Sequence, residues 1–331
     1  MYRPGESKRQ LLLKCGAVFF ALVLLMSALL LAISWWERAE RGSGESDPQA
    51  EDALVYRGRR YALKEGITTL LVMGLDTFDN EGSDAYRNNK QADFLTLLVM
   101  DNHEKTCKAI HLNRDTMAEI EMLDATGEKV VGTTMAQLAL AHTYGDGREE
   151  SCLNTVRAVE NLLGIDILYY VSVSMDAVPQ YNDLLGGVPV EIMDDFTSID
   201  PTMVQGETVT LTGDQALTYV RSRKGLDDPS NQQRMKRQKQ YIQALLKATA
   251  QQVEADESFM LSAVQKLNPY WISNRDDVEL ARMASQYRVN DPVAFYTLEG
   301  TSEMGEQYLE FYPDEESILE VVIDCFYKLA K

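Results

Sequence analysis

The chain has 331 residues, of which 45 % are hydrophobic and 25 % are charged, the balance of an ordinary globular protein. That length suits one large domain or two small ones. The formal net charge of -19 argues against nucleic acid as the main partner, because DNA-binding proteins carry a broad basic surface.

An apolar segment near the N-terminus predicts a membrane anchor. Residues 15–33 are apolar apart from Ser27, and with residues 11–13 they are long enough to cross a bilayer as a helix. Basic residues precede the segment and acidic residues follow it, so the positive-inside rule places the N-terminus in the cytoplasm. We expect a cytoplasmic tail over residues 1–10 and an uncleaved anchor over residues 11–34. The alternative, a cleaved signal peptide, would normally have a shorter apolar core.

The segment after the anchor is polar and predicts an extracytoplasmic stalk over residues 35–66. Its first part, residues 37–52, is rich in glycine, serine and acidic residues. A globular pattern begins at Ile67, so we assign residues 67–331 to one extracytoplasmic domain with its core at 67–250.

Hydrophobic periodicity predicts strands and helices that alternate along this domain. The predicted strands are residues 67–73, 94–100, 106–112, 168–173, 188–192, 295–298 and 308–311, the second and third forming a hairpin. The predicted helices are residues 135–142, 149–163, 175–185, a helix capped by Thr212, 231–250 and 316–329. This alternation predicts an α/β layered domain with a mixed sheet.

Three cysteines lie outside the predicted anchor, where disulfides can form. We expect a disulfide between Cys107, on the second strand of the hairpin, and Cys152, near the start of a helix that could cover the sheet. Cys325 lies beside Val322 and Phe326 on an apolar helix face and is expected to be a buried thiol. The alternative is three buried thiols.

Basic residues are concentrated in one short stretch of this acidic chain, which indicates an anionic partner. They are Arg221, Arg223, Lys224, Arg234, Lys236, Arg237 and Lys239. Arginine predominates, and the planar guanidinium suits phosphate geometry. In an extended segment Arg221 and Arg223 would point the same way. Arg234 and Gln238 are four apart on a predicted helix, with Arg237 beside them. The alternative is a solvated helix face with ordinary surface charge.

Two carboxylates at strand ends suggest a metal site. Asp76 directly follows the first strand and Asp93 directly precedes the second, so both could line a crevice at the edge of the sheet. Carboxylates without nearby histidine or thiolate suit Mg²⁺ bound together with substrate phosphates. Arg114 and Asp115 close the hairpin. A metal with several arginines is typical of phosphoryl transfer, although an aspartate at a strand end is more often a cap or turn residue.

The order of these pieces along the chain resembles the LytR–CpsA–Psr family. The matching pieces are Gly74-Leu75-Asp76, Ala92-Asp93-Phe94, Asn113-Arg114-Asp115-Thr116, Asn161-Leu162-Leu163-Gly164-Ile165, Leu185-Gly186-Gly187-Val188, the run from Leu211 to Arg223, and Arg234 with Arg237-Gln238. The resemblance implies an α-β-α fold with a deep apolar pocket for a polyprenyl chain. It also implies a transferase that moves a phosphate-linked glycopolymer from a polyprenyl diphosphate carrier to peptidoglycan with the help of Mg²⁺.

The resemblance assigns roles by position. Asp76 and Asp93 would bind the metal, and the diphosphate would contact Arg114, Arg221, Arg223, Arg234, Arg237, Gln238 and Gln91. Asp76, Asp93, Arg114 and Arg221 would form the catalytic set. The sequence departs from the family pattern at Gln91, where an arginine is common, and at Thr77-Phe78, where an arginine commonly follows the aspartate. Arg87 or Lys90 could substitute.

Two other functions fit the same residues. A hydrolase would cleave the polyprenyl diphosphate with water as the acceptor. A non-catalytic regulator would bind a lipid-linked glycan without turnover. The predicted orientation argues against direct DNA binding, because the large domain lies outside the membrane.

Overall fold

The computed structural model describes residues 54–76, 88–124, 126, 129–286, 294–306 and 308–330. The anchor expected over residues 11–34 and the first part of the stalk lie outside the described residues and stay predictions. Within the described ranges, no helix is both long enough and apolar enough to cross a membrane. The chain divides into two units between Ala62 and Leu63.

The first unit contains an antiparallel hairpin inside the segment predicted as a stalk. Strand β1 (Leu54–Tyr56) pairs with β2 (Arg59–Leu63), so that Tyr56 lies opposite Arg59. The two turn residues, Arg57 and Gly58, have φ values of 47° and 74°. Positive φ at both positions is typical of a tight type I′ turn.

The second unit is an α/β domain. Its strands are β3 (Ile67–Leu75), β4 (Ala92–Asp101), β5 (Thr106–Leu112), β6 (Met117–Leu123), β7 (Val130–Gln137), β8 (Tyr169–Ser174), β9 (Val188–Glu191), β10 (Thr208–Leu211), β11 (Trp271–Ser273), β12 (Ala294–Thr297), β13 (Gly300–Met304), β14 (Leu309–Pro313) and β15 (Tyr327–Leu329). Its α-helices are α1 (Glu149–Leu163), α2 (Ala177–Leu184), α3 (Gly213–Arg221), α4 (Asn231–Ala255), α5 (Phe259–Leu267), α6 (Asp277–Gln286) and α7 (Glu315–Phe326). Short 3-10 helices cover Leu138–Thr143 and Asn268–Tyr270.

The central sheet is mixed, as the sequence predicts. Its strand order is β11-β8-β3-β4-β5-β12. Strands β3, β4 and β5 are antiparallel neighbours, whereas β8 runs parallel to β3 and β12 runs parallel to β5. The carboxyl end of β3, the start of β4 and the end of β5 therefore meet at one edge of the sheet.

Helices pack on both faces of this sheet. On one face, Leu71 and Leu97 pack with Val159 of α1 and Val322 of α7. The opposite face contributes a separate apolar cluster that includes Met283 of α6. The two faces follow from the alternation of side chains along each strand.

A separate apolar cluster joins α3 and α4 to the hairpin of β9 and β10. Val188 and Val190 of β9 pack with Leu211, Tyr219 of α3 and Tyr241 of α4. This cluster fixes the two helices that carry most of the basic residues singled out in the sequence.

Two helix predictions are corrected by the structure. Residues 135–137 form the end of β7, where exposed and half-buried residues alternate, and only Leu138–Thr143 is helical, as a 3-10 turn. The pairing of β7 with β6, a strand that the sequence reading missed, overrides the local helical spacing. At the C-terminus, α7 ends at Phe326 and residues 327–329 form β15.

The predicted Cys107–Cys152 disulfide is wrong, because the central sheet separates the two thiols. Cys107 packs with Leu70 and Met100 on one face, whereas Cys152 belongs to the core on the other face. Both are free thiols. Cys325 is a buried free thiol, as predicted.

Candidate functional site

The two aspartates predicted as metal ligands flank an irregularity between β3 and β4. Gly74 lies opposite Phe94, but the next residue, Leu75, lies opposite Ala92. Asp93 is therefore the extra residue of a β-bulge. Bulges turn the side chain of the extra residue away from the regular alternation, and they are common next to functional sites.

Gly74 is required by the close approach of the strands at this bulge. A β-carbon at this position would lie 2.8 Å from Cβ of Phe94, closer than real β-carbons come. The glycine thus lets β3 reach Asp76 while β4 carries Asp93 beside it.

Arg114 contacts the carboxylate of Asp93 at the start of β4 and that of Asp115 just after β5. Its guanidinium forms an ion pair with Asp93, lies 3.4 Å from Asp115, and donates to Oε1 of Gln91 at 2.5 Å. Gln91, which stands where the resemblance expects an arginine, is thus in contact with Arg114. Of the suggested substitutes, Arg87 lies outside the described residues, and the side chain of Lys90 lies against Gly147.

Helix α3 brings Arg221 to the same edge. Thr212 caps this helix, as the sequence predicts, and the structure adds a capping box with Gln215. Arg221 is the last helical residue and forms a 3.2 Å ion pair with Asp76, in which both side chains are more than half exposed. The expectation of an extended segment from Arg221 to Arg223 is therefore wrong, since the first of them is helical.

Arg234 lies in the first turns of α4 and is almost fully buried. Its Nη2 donates to Oδ1 of Asn231 at 2.6 Å, and Asn231 in turn donates to Oδ1 of Asn113 at 2.8 Å. Nε of Arg234 is buried and has no hydrogen-bond partner among the described residues. Sequence reasoning missed both asparagines, because their contact depends on the packing of α4 against the end of β5.

The site has an excess of positive charge. Burial, together with the nearby Arg223 and Arg114, lowers the pKa of Arg234 to about 10. The pKa of Arg114 is lowered mainly by burial, against the attraction of Asp115. Burial of cations without enough counter-charge is costly, so this arrangement favours an anionic ligand.

Arg237 and Gln238 lie within the protein and hold the end of α3. The guanidinium of Arg237 is fully buried, lies 3.1 Å from Asp194, and donates to the carbonyl oxygens of Tyr219 and Ser222 at 3.2 and 2.5 Å. Gln238 donates to the carbonyl oxygen of Val220 at 3.2 Å. Through these contacts both residues hold the backbone from which Arg221 and Arg223 project.

The carboxylates fit a hard cation only with help from a ligand. The described residues contain no group of three or more acidic, histidine or cysteine side chains able to hold a metal ion. Asp76 and Asp93 supply oxygen ligands, and Mg²⁺ prefers a few carboxylates completed by phosphate oxygens and water. Both carboxylates are paired with arginines here.

Sequence comparison shows that the chain belongs to the LytR–CpsA–Psr family. The family model described as LytR_cpsA_psr matches residues 38–323. The polyisoprenyl-teichoic acid–peptidoglycan teichoic acid transferase TagU of Halalkalibacterium halodurans is 34 % identical over 183 residues, 55 % of this chain and 53 % of the relative. The transferase of the same description named TagV, from Bacillus subtilis, is 30 % identical over 212 residues, 60 % of this chain and 49 % of the relative. The chain thus spans about half the length of these curated relatives.

Solved structures confirm the fold. The crystal structure of Bacillus subtilis TagV has a TM-score of 0.61 and 22 % identity, covering 78 % of this chain and 95 % of TagV. A structure described as TagT bound to LI-WTA has a TM-score of 0.60 and 21 % identity, covering 79 % of this chain and 90 % of TagT. The mixed α/β fold is therefore that of solved family members.

Proposed function

We propose that the protein transfers a phosphate-linked glycopolymer from a polyprenyl diphosphate carrier to peptidoglycan. The proposal is supported by the family membership and by the transferase activity for which the TagU and TagV relatives are named. The observation that carries it is the arginine cluster of Arg114, Arg223 and Arg234, in which Arg234 is almost fully buried and its Nε has no partner in the described part of the chain.

The proposed reaction replaces the phosphoanhydride bond of the diphosphate with a phosphodiester bond to peptidoglycan. A hydroxyl oxygen of peptidoglycan attacks the phosphorus that bears the glycopolymer. The bond from that phosphorus to the bridging oxygen of the diphosphate breaks, polyprenyl monophosphate leaves, and the hydroxyl proton passes to solvent. Positioning and neutralisation of phosphate charge contribute most of the catalysis in such transfers.

Each arginine has a distinct part in this proposal. Arg114 and Arg234 form the inner, buried wall for the diphosphate, whereas Arg221 and Arg223 approach from the solvent side. Arg237 and Gln238 act through the end of α3, which they hold in place. Substrate would displace Asp76 from Arg221, because their exposed ion pair is weak.

Asp76 and Asp93 would hold Mg²⁺ in the substrate complex. The ion would neutralise phosphate charge and stabilise the leaving oxygen. The bulge at Asp93 and the strand end at Asp76 place the two carboxylates on neighbouring strands. An apolar pocket for the polyprenyl chain, opening near Arg221 and Arg223, stays a prediction, as does the single membrane anchor at residues 11–34.

Binding of a short-chain polyprenyl diphosphate to the full-length chain tests the role of the arginines. Arg221→Lys and Arg223→Lys keep the charge but lose the planar fork, so both should weaken binding. Arg234→Ala should weaken it most, because its guanidinium faces the ligand from the interior. Lys224→Ala, which changes an exposed charge of the same segment, is the control. Equal affinity in all four variants would contradict the proposed site.

A further inference from the structure

A pair of buried polar side chains on the central sheet has no role in the site described so far. Thr96 of β4 lies directly opposite His111 of β5. Both side chains are almost fully buried, with relative exposures of 4 % and 2 %. Oγ1 of Thr96 and Nδ1 of His111 have no hydrogen-bond partner among the described residues. Buried polar groups are nearly always paired, so two such groups side by side call for an explanation.

These two residues lie on the face of the sheet that carries Met100 and Cys107, and Arg234 and Lys239 of α4 are close enough to influence the His111 ring electrostatically. His111 and Asn113 are two residues apart, so their side chains fall on the same face. Asn113 accepts a hydrogen bond from Asn231 at 2.8 Å, and Asn231 accepts one from Arg234 at 2.6 Å. Nε of Arg234 is a third buried polar atom without a partner in the described ranges. The three groups thus come from β4, β5 and α4 and border one region.

All three groups can act as hydrogen-bond donors. Burial, with Lys239 and Arg234 nearby, lowers the pKa of His111 to about 4, so its ring is neutral at physiological pH and can carry a proton on Nδ1. Phe94 packs against this ring with 5.0 Å between centroids and limits its orientation. The Thr96 hydroxyl and Nε of Arg234 supply the other two donors. Three donors around one region match an oxyanion.

We propose that Thr96, His111 and Nε of Arg234 form an inner subsite that binds an oxygen of a phosphate group. This inference rests on the proposed function and adds two residues of the central sheet to the arginines as phosphate-binding groups. These donors have no partners among the described residues, and a bound diphosphate would supply them. The ligand is either the diphosphate of a polyprenyl carrier or a free diphosphate, because both present the same kind of anionic phosphate oxygen.

The proposal predicts opposite effects on stability and on binding. Thr96→Val keeps the shape of the side chain and removes a buried hydroxyl that has no partner among the described residues, so it should leave the melting temperature unchanged or raise it. The same change should weaken diphosphate binding by about tenfold, the usual effect of losing a hydrogen bond to a charged group. His111→Leu should behave alike, whereas His111→Asn, which keeps an amide near Nδ1, should retain more affinity.

Ser172→Ala is the matched control. The Ser172 hydroxyl is also fully buried, and it lies beside the Cys152 thiol without an oxygen or nitrogen partner in the described part of the chain. Ser172 lies opposite Met73, on the other face of the sheet. Its removal should therefore leave diphosphate binding at the wild-type level.

The experiment measures melting temperature and calorimetric affinity of the full-length chain for three probes: inorganic diphosphate, a short-chain polyprenyl diphosphate and the corresponding alcohol. Weaker binding of either diphosphate in Thr96→Val and His111→Leu, with stability retained, supports the subsite and identifies the source of the phosphate. Wild-type affinity for both diphosphates in these two variants would overturn it, while leaving the proposed function intact. A wild-type chain that binds neither diphosphate would overturn both.

Discussion

At the scale of single residues, the ion pairs of the site divide into exposed and buried ones with different consequences. Arg221 and Asp76 are more than half exposed, whereas Arg237 is fully buried against Asp194. Exposed pairs contribute little to stability, but removal of one partner from a buried pair leaves an uncompensated charge. Sequence spacing places Arg234, Arg237 and Gln238 on one helix, yet it does not distinguish a ligand contact from an internal one.

Arg237→Ala should lower the free energy of unfolding by about 3–5 kcal/mol, because Asp194 and the carbonyl oxygens of Tyr219 and Ser222 lose their partner. Arg221→Ala should lower it by less than about 1 kcal/mol. Urea denaturation of both variants measures the difference. Similar losses in the two variants would mean that Arg237 is not the support of α3.

Two buried histidines should make stability depend on pH. Burial is the main reason that the pKa values of His111 and His142 fall from 6.5 to about 4 in the folded chain. The unfolded chain binds protons more readily than the folded chain over this interval, so the free energy of unfolding should decrease as pH falls from 6.5 towards 4. The full effect is about 3 kcal/mol for each histidine.

Denaturation at pH 7 and pH 5 measures this dependence. The fall should become smaller when His111 and His142 are both replaced by asparagine. An unchanged fall in the double variant would assign the effect to other groups.

At the scale of elements, local sequence patterns correctly predict the helix ends and hairpins that depend only on nearby residues. The cap at Thr212, the bounds of α1 and the antiparallel hairpin of β4 and β5 are all predicted correctly from the sequence. The α-helix expected at residues 135–142 is instead the end of β7 followed by a 3-10 turn, because pairing with β6 competes with the helical spacing. The bulge that contains Asp93 also depends on pairing between segments apart in the sequence, and no local pattern predicts it.

Gly74→Ala tests the importance of the bulge. The added carbon would lie 2.8 Å from Cβ of Phe94 and would push β3 and β4 apart. We expect a lower melting temperature and a loss of transfer activity, because Asp76 and Asp93 would move relative to each other. Gly132→Ala is the control, since its added carbon would meet only the flexible end of Met122 at 3.2 Å. Equal transfer activity in both variants would mean that the geometry of the bulge is not needed for the reaction.

At the scale of the whole molecule, a folded α/β domain follows a predicted membrane anchor in the chain. If the anchor crosses the membrane as the charge asymmetry predicts, residues 35–331 lie outside the cell membrane. Protease added to intact cells should then degrade the C-terminal domain while the cytoplasmic contents stay intact. A domain that is degraded only after lysis would reverse the predicted orientation.

The central claim is transfer of a glycopolymer to peptidoglycan, and acceptor dependence tests it most directly. The measurement follows a labelled polyprenyl diphosphate glycan incubated with the full-length chain, with and without peptidoglycan. We expect labelled peptidoglycan and polyprenyl monophosphate in equal amounts, formed only when the acceptor is present and lost in Arg234→Ala. Release of free glycan phosphate at the same rate without acceptor would indicate a hydrolase, and tight binding without any product would indicate a regulator. Either result would contradict the claim.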